Sequence, residues 1–139
     1  MPKKVETRGV DRAEARNALL KASEMNTAAA SELASGRWNS AGLNAVHAGI
    51  CAADSALIAS ETIRSASQDH GVVMALLEEL VPEFAATQRR QLGGLLKMKN
   101  VVAYEQRLLN EVEARQMVDQ ANRLTRWASA LIADRLSGG

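Results

Sequence analysis

The stretch that decides the fold is residues 40–60, which read SAGLNAVHAGICAADSALIAS and contain a single charged residue, Asp54. Within it, apolar residues are spaced three and four apart, as on one face of a helix: Leu43, Val46, Ile50, Ala53 and Leu57. A neighbouring, partly polar stripe consists of His47, Cys51, Asp54, Ile58 and Glu61. Because Ala and Gly dominate over Leu and Phe here, these two inward faces predict the inner helix of a helical bundle rather than a membrane span.

The composition of the whole chain also favours helices. Its 139 residues include 25 alanines and only 3% aromatic residues, and Pro2 and Pro82 are the only prolines. Ala has the highest helix propensity, whereas strands are rich in β-branched and aromatic side chains. We therefore predict an all-α fold in one domain over residues 11–136, with a flexible N-terminal arm over residues 1–10 and a flexible C-terminus over residues 137–139.

Capping signals divide the first half of the domain. Asp11 and Glu14 form a capping-box pattern that predicts the start of the first helix, and Ser35-Gly36 predicts its end. Asn39 or Ser40 is the expected cap of the second helix, because a side-chain oxygen at this position can accept a backbone N–H of the first turn.

The second half contains the remaining helices. A turn over residues 65–69 precedes a short helix from His70 to about Leu80, and Pro82 suits the first turn of the next helix. Asn110 begins a second capping-box pattern, from which the last helix runs nearly to the C-terminus. Short connections between such helices predict an up-and-down bundle of four to five antiparallel helices.

Charge and cysteine content restrict the function. The chain carries 17 basic and 16 acidic residues, a net charge of +1, which argues against a general polyanion binder. Residues 84–107, however, contain five basic residues and only one acidic residue, Glu105. The single cysteine, Cys51, excludes an intramolecular disulfide, and the polar first residues lack a signal-peptide pattern. We therefore expect a cytoplasmic protein with no membrane partner.

Residues 95–105, LLKMKNVVAYE, lie in this positive segment and include the only tyrosine of the chain. The helical pattern fades over residues 98–100, and Gly93-Gly94 just before it predicts a close helix contact or a bend.

The order of these elements resembles that of the HEPN superfamily of small α-helical domains over about residues 12–136. The resemblance is carried by AVHA at residues 45–48, AADSA at residues 52–56, Asp69-His70 at the start of the third helix, and KNVVAYE at residues 99–105. HEPN domains usually pair as dimers and build a metal-independent ribonuclease site at the interface from an Arg and a His four to six residues apart.

The residues at the positions of this motif differ from those of an active site. The Arg position falls on Lys99, the polar residue after it on Asn100, and the His position on Tyr104. Lys can hold a phosphate as a point charge. Tyr, with an ordinary pKa near 10, cannot readily take a proton from a ribose hydroxyl at neutral pH. Lys99 and Tyr104 are thus the candidate catalytic residues of a degenerate motif. These replacements leave enzyme activity open and favour a protein without it.

A wider phosphate- or RNA-binding site follows from the resemblance and from the local charge. Its expected residues are Lys97, Lys99, Asn100, Tyr104 and Arg89. In an unbroken helix Tyr104 would point well away from Lys99, so a site shared by both requires the chain to reverse at residues 101–103.

Asp54 and His47 are the expected supporting residues. A carboxylate on an otherwise uncharged helix needs a partner, and we expect Asp54 to face Lys99, Asn100 or an arginine of the last helix such as Arg126. No second cluster adds metal ligands to His47 and Asp54, so we expect no metal and no cofactor.

Three functions remain open. The first is a non-catalytic or weakly active module that binds RNA or nucleotide phosphate, acts as a homodimer, and belongs to a prokaryotic toxin–antitoxin or defence system with a nucleotidyltransferase as partner. This setting is implied by the resemblance alone. The second is an interaction or dimerisation bundle with no ligand, and the third is an active metal-independent ribonuclease.

Overall fold

The computed structural model describes residues 7–65 and 70–137, without the side chain of His70, and this part of the chain is predominantly helical. The predicted helical class is therefore confirmed, although two short strands were missed. The elements in chain order are β1 (Thr7–Gly9), α1 (Glu14–Ala34), α2 (Trp38–Glu61), β2 (Ile63–Ser65), α3 (His70–Leu80), α4 (Ala86–Tyr104) and α5 (Glu111–Ser137).

Helix α2 is the centre of the fold and packs against each of the other four helices. It is long and apolar enough to cross a membrane by length and hydropathy alone, but 67% of its most apolar window is buried inside the protein. This burial is that of a core helix, as the sequence predicts.

Small residues give α2 this central place. Its buried positions include seven alanines: Ala41, Ala45, Ala48, Ala52, Ala53, Ala56 and Ala59. Side chains of neighbouring elements fill the space that its glycines leave. A Cβ on Gly42 would lie 2.5 Å from Cδ1 of Leu109, and a Cβ on Gly49 would lie 2.5 Å from Cδ1 of Leu95. The helix therefore accepts side chains from its neighbours at its small residues, in addition to burying Val46, Leu57 and Ile58 of its own.

A two-stranded antiparallel ribbon joins the beginning of the described chain to the end of α2. Thr7 pairs with Ser65 and Gly9 with Ile63, and the N–H of Val10 donates to the carbonyl of Thr62 at 2.9 Å. The sequence placed residues 7–10 in a flexible arm and Ser65 in a turn, so both predictions are wrong at these positions. Residues 1–6, 66–69 and 138–139 lie outside the described residues.

The start of α5 is capped as predicted. The N–H of Glu113 donates to Oδ1 of Asn110 at 2.8 Å, and Oε1 of Glu113 accepts the N–H of Asn110 at 3.1 Å. The cap predicted for α2 is wrong, because that helix starts at Trp38 after Arg37. Asn39 instead accepts the N–H of Leu109 at 2.8 Å, which ties the loop before α5 to the start of α2.

Helix α4 begins later than predicted and is continuous. Pro82 lies in the turn before Phe84, which is buried and meets Trp127 edge-on with ring centroids 5.8 Å apart, and the helix starts at Ala86. Gly93 and Gly94 do not interrupt it. They mark helix contacts, since a Cβ there would lie 3.5 Å from Met74 of α3 and 2.7 Å from Gln120 of α5, respectively.

We expect Gly49→Ala to destabilise the protein and Gly93→Ala to leave it unchanged or more stable. The new methyl at residue 49 would overlap Leu95, which is fully buried, and such overpacking costs roughly 1–3 kcal/mol, more than the gain of about 1 kcal/mol in helix propensity. At residue 93 the neighbour is at ordinary contact distance, so the propensity gain remains. Urea unfolding of both variants measures the difference, and equal midpoints would contradict the packing described for α2.

Candidate functional site

The end of α4 holds the residues of the degenerate motif, and its path corrects one prediction. The helix runs unbroken through Tyr104, and the backbone becomes extended only at Glu105, so the predicted reversal at residues 101–103 is wrong. Five residues at 3.6 per turn place Lys99 and Tyr104 roughly 140° apart around the helix. The two side chains leave the helix on different sides, and Tyr104 is not among the described residues that line the cleft between α3 and α4 with Lys99.

Lys99 instead shares a cleft with two other predicted residues. Lys97, Lys99 and Asn100 line an open cleft between α3 and α4, whose remaining walls are Gly71, Met74, Gly93 and Leu96. The cleft encloses a space of about 400 Å³. Neither lysine makes an ion pair within the part of the chain that the structure describes.

The chemistry of this cleft suits an anion. Lys97, Lys99 and Asn100 line the cleft together with Gly71 from the first turn of α3, and the N-terminal end of a helix adds partial positive charge. No carboxylate is among the described residues that line it. The described lining also includes no imidazole or other group that titrates near neutral pH, so the arrangement favours binding over proton transfer.

The other basic residues of the positive segment differ in their partners. Nε of Arg89 lies 2.7 Å from Oε1 of Glu78, which joins α4 to α3. Arg107 makes a bidentate ion pair with Glu113, in which its two Nη atoms donate to Oε1 at 3.1 Å and Oε2 at 3.0 Å. This pair is the main reason that the pKa of Glu113 is lowered. Arg89, predicted to bind phosphate, is thus held by a carboxylate outside the lining of the cleft.

Tyr104 lies on a different surface, which we call the apolar corner: Tyr104, Leu108 and Val112. Each of these side chains is 74% exposed. Leu109, between them in sequence, is buried against Gly42. The corner therefore exposes apolar area where the chain turns from α4 into α5.

Asp54 and His47 do not support the cleft. His47 is exposed on α2. Asp54 lies beside Arg64 of β2 and lines a separate cavity against α1, so the prediction that it faces Lys99, Asn100 or Arg126 is wrong. A helical pattern identifies the face on which a residue lies but not the neighbour that covers it.

The environment of Asp54 is unusual for a carboxylate. Burial raises its pKa to about 6, and the nearby charge of Arg64 opposes this shift only in part. Asp54 makes no hydrogen bond or ion pair with the residues that the structure describes. The neighbouring Cys51 thiol also has a raised pKa, first because of burial and then because of Asp54, while Lys21 lowers it.

The described residues bring together no group of three or more His, Cys, Asp or Glu side chains able to hold a metal ion. Comparison of the sequence with protein-family models and with curated proteins found no match.

The contribution of α3 to the cleft was not predicted from the sequence. Gly71 and Met74 lie on a helix that the pattern predicted correctly, but nothing in their spacing indicates that they cover Lys99. The Arg89–Glu78 pair was missed for the same reason, because it joins two helices across a turn.

We expect the stability of the protein to fall as pH rises through the pKa of Asp54, and Asp54→Asn to remove this loss. The folded pKa of about 6 lies above the ordinary value of 3.8, so the folded state binds the extra proton and is favoured at acid pH. Stability is lost between about pH 4 and pH 7, by up to about 3 kcal/mol. Urea unfolding across this range measures it, with exposed Glu24→Gln as the matched control. An unchanged pH dependence in Asp54→Asn would refute the assignment.

Proposed function

We propose that this chain is a HEPN-like up-and-down helical bundle that binds RNA or nucleotide phosphate without cutting it, or with weak activity at most. The observation that carries the proposal is the α3–α4 cleft, which Lys97, Lys99 and Asn100 line and whose described lining includes no carboxylate. The two lysines supply positive charge for a phosphate and the amide of Asn100 supplies a hydrogen-bond donor, beside the start of α3 at Gly71.

The biological setting belongs to the same proposal and rests on the resemblance alone. The domain acts as a homodimer in the cytoplasm of a prokaryote, in a toxin–antitoxin or defence system whose other component is a nucleotidyltransferase. In a dimer, Tyr104 of one copy can approach the Lys99 cleft of the other, although the two residues diverge within one helix.

An active ribonuclease is the least favoured function. The described residues that line the cleft include no general base for the ribose hydroxyl. Tyr104 is the remaining candidate for that role, and its ring is 74% exposed on another side of α4.

We expect Lys97→Ala and Lys99→Ala each to weaken binding of single-stranded RNA and to flatten its salt dependence. Each lysine that neutralises a phosphate contributes about 0.7 to the slope of log K against log salt concentration. Fluorescence anisotropy over a salt series measures both effects. Arg90→Ala is the matched control, because it removes one positive charge from an exposed position of α4 outside the lining of the cleft.

The outcomes of this experiment separate the candidate functions. Equal losses in Arg90→Ala and Lys99→Ala would indicate general attraction to the positive segment and would refute a specific cleft. If the chain does not bind RNA even at low salt, a protein-interaction bundle with no ligand becomes the favoured function. RNA cleavage in the presence of EDTA, lost in Tyr104→Phe, would establish the ribonuclease instead.

A protein-interaction bundle with no ligand is the alternative that a separate observation favours. The three residues of the apolar corner are close together in sequence where α4 leads into α5, and each is 74% exposed; large exposed apolar side chains mark candidate contact surfaces.

If the chain self-associates through this corner, the double variant Leu108→Ser/Val112→Ser should sediment as a monomer under conditions where the parent chain is dimeric. Leu20→Ser is the matched control, since Leu20 is a 60% exposed leucine on α1. Sedimentation velocity measures the mass of each. A dimer that persists in the double variant but dissociates in Leu20→Ser would contradict the role of the corner.

A further inference from the structure

The cavity that contains Asp54 is separate from the α3–α4 cleft and shares no lining residue with it. It lies where α1, α2 and β2 meet and encloses about 160 Å³. Drug-sized ligands occupy roughly 300 Å³ or more, so this cavity suits a smaller molecule.

One of the residues that line the cavity is Asp54, whose carboxylate lacks a hydrogen-bond or ion-pair partner among the described residues. Asp54 is the only charge in residues 40–60, is partly buried, and has no hydrogen-bond or ion-pair partner among residues 7–65 and 70–137. A largely desolvated carboxylate is stabilised when a cation or an N–H donor reaches it. A ligand with an ammonium group would supply both.

Two cations also line the cavity. Lys21 comes from α1 and Arg64 from β2, and neither makes an ion pair with a described residue. They are close enough to act on the α2 groups, because Lys21 affects the Cys51 thiol and Arg64 affects Asp54. Two unpaired cations disfavour a ligand that is only positive and favour one that also carries a carboxylate.

We propose that this cavity binds a small aliphatic α-amino acid, with its ammonium group on Asp54 and its carboxylate on Lys21 and Arg64. Ala18 and Ile58 supply apolar lining for a short aliphatic side chain. Glu14, from the start of α1, is the second acidic group at the cavity and adds to the attraction for the ammonium.

The charge on Asp54 makes the binding dependent on pH. The charged and titratable groups that line the cavity are Glu14 and Lys21 from α1, Cys51 and Asp54 from α2, and Arg64 from β2. Of these, Asp54 has a pKa of about 6. The ammonium group prefers the ionised carboxylate, so affinity falls about tenfold from pH 7 to pH 5.

The test is titration of the full chain with L-valine, L-alanine and glycine, followed by ¹H–¹⁵N spectra and by thermal unfolding. We expect L-valine to raise the melting temperature and to shift the amide signals of Lys21, Cys51, Asp54 and Arg64. Valinamide, which lacks the carboxylate, and isovalerate, which lacks the ammonium, should each bind at least tenfold more weakly.

Two pairs of variants distinguish the site from a general charge effect. Asp54→Asn and Lys21→Gln should each abolish the shifts, whereas Glu24→Gln and Arg16→Gln, which remove the same charges from exposed positions of α1, should retain them. The proposal is overturned if none of the three amino acids shifts the cavity signals, if valinamide or isovalerate binds as well as L-valine, or if binding survives in folded Asp54→Asn. RNA binding by the parent chain is measured separately, so a failure here is distinguishable from a failure of the α3–α4 cleft.

Discussion

The close approach of four helices to α2 is the constraint on which the rest of the structure depends. Alanines and two glycines let Leu95 and Leu109 reach the surface of this helix, and those two leucines position α4 and the loop before α5. The placement of the candidate site follows, because the cleft with Lys97 and Lys99 lies on the side of α4 that faces α3 while Leu95 faces α2. Apolar packing thus orients the basic residues without contacting a ligand.

The parts of the fold that were predictable are those encoded locally. The single charge in residues 40–60 indicated an inner helix, and Asn110 with Glu113 indicated the start of α5, because a capping box needs only four consecutive residues. The ribbon was not predictable in this way. Thr7–Gly9 and Ile63–Ser65 are too short to show alternation, and their pairing joins distant parts of the chain.

In the candidate site, too, the residues themselves were predictable but their neighbours from distant parts of the chain were not. Lys97, Lys99 and Asn100 were identified from charge and from resemblance, and the structure brings these three to one cleft. The predicted position of Tyr104 is wrong because the apolar periodicity fades before the helix ends, and α4 continues with Val101 and Val102 packed against the core. The predicted neighbours of Asp54 are wrong because Arg64, whose charge acts on it, belongs to a strand that the sequence did not reveal.

The ribbon also bears on the order in which the molecule assembles. Its two strands enclose α1 and α2 in one closed loop of chain, and closing a long loop costs entropy that must be repaid by contacts made beforehand. Helices form from near neighbours and faster than distant strand pairs. We therefore infer that α1 and α2 pair before β1 meets β2. Arg64 would then reach the Asp54 cavity late in folding, so that the carboxylate is enclosed only after its helix is in place.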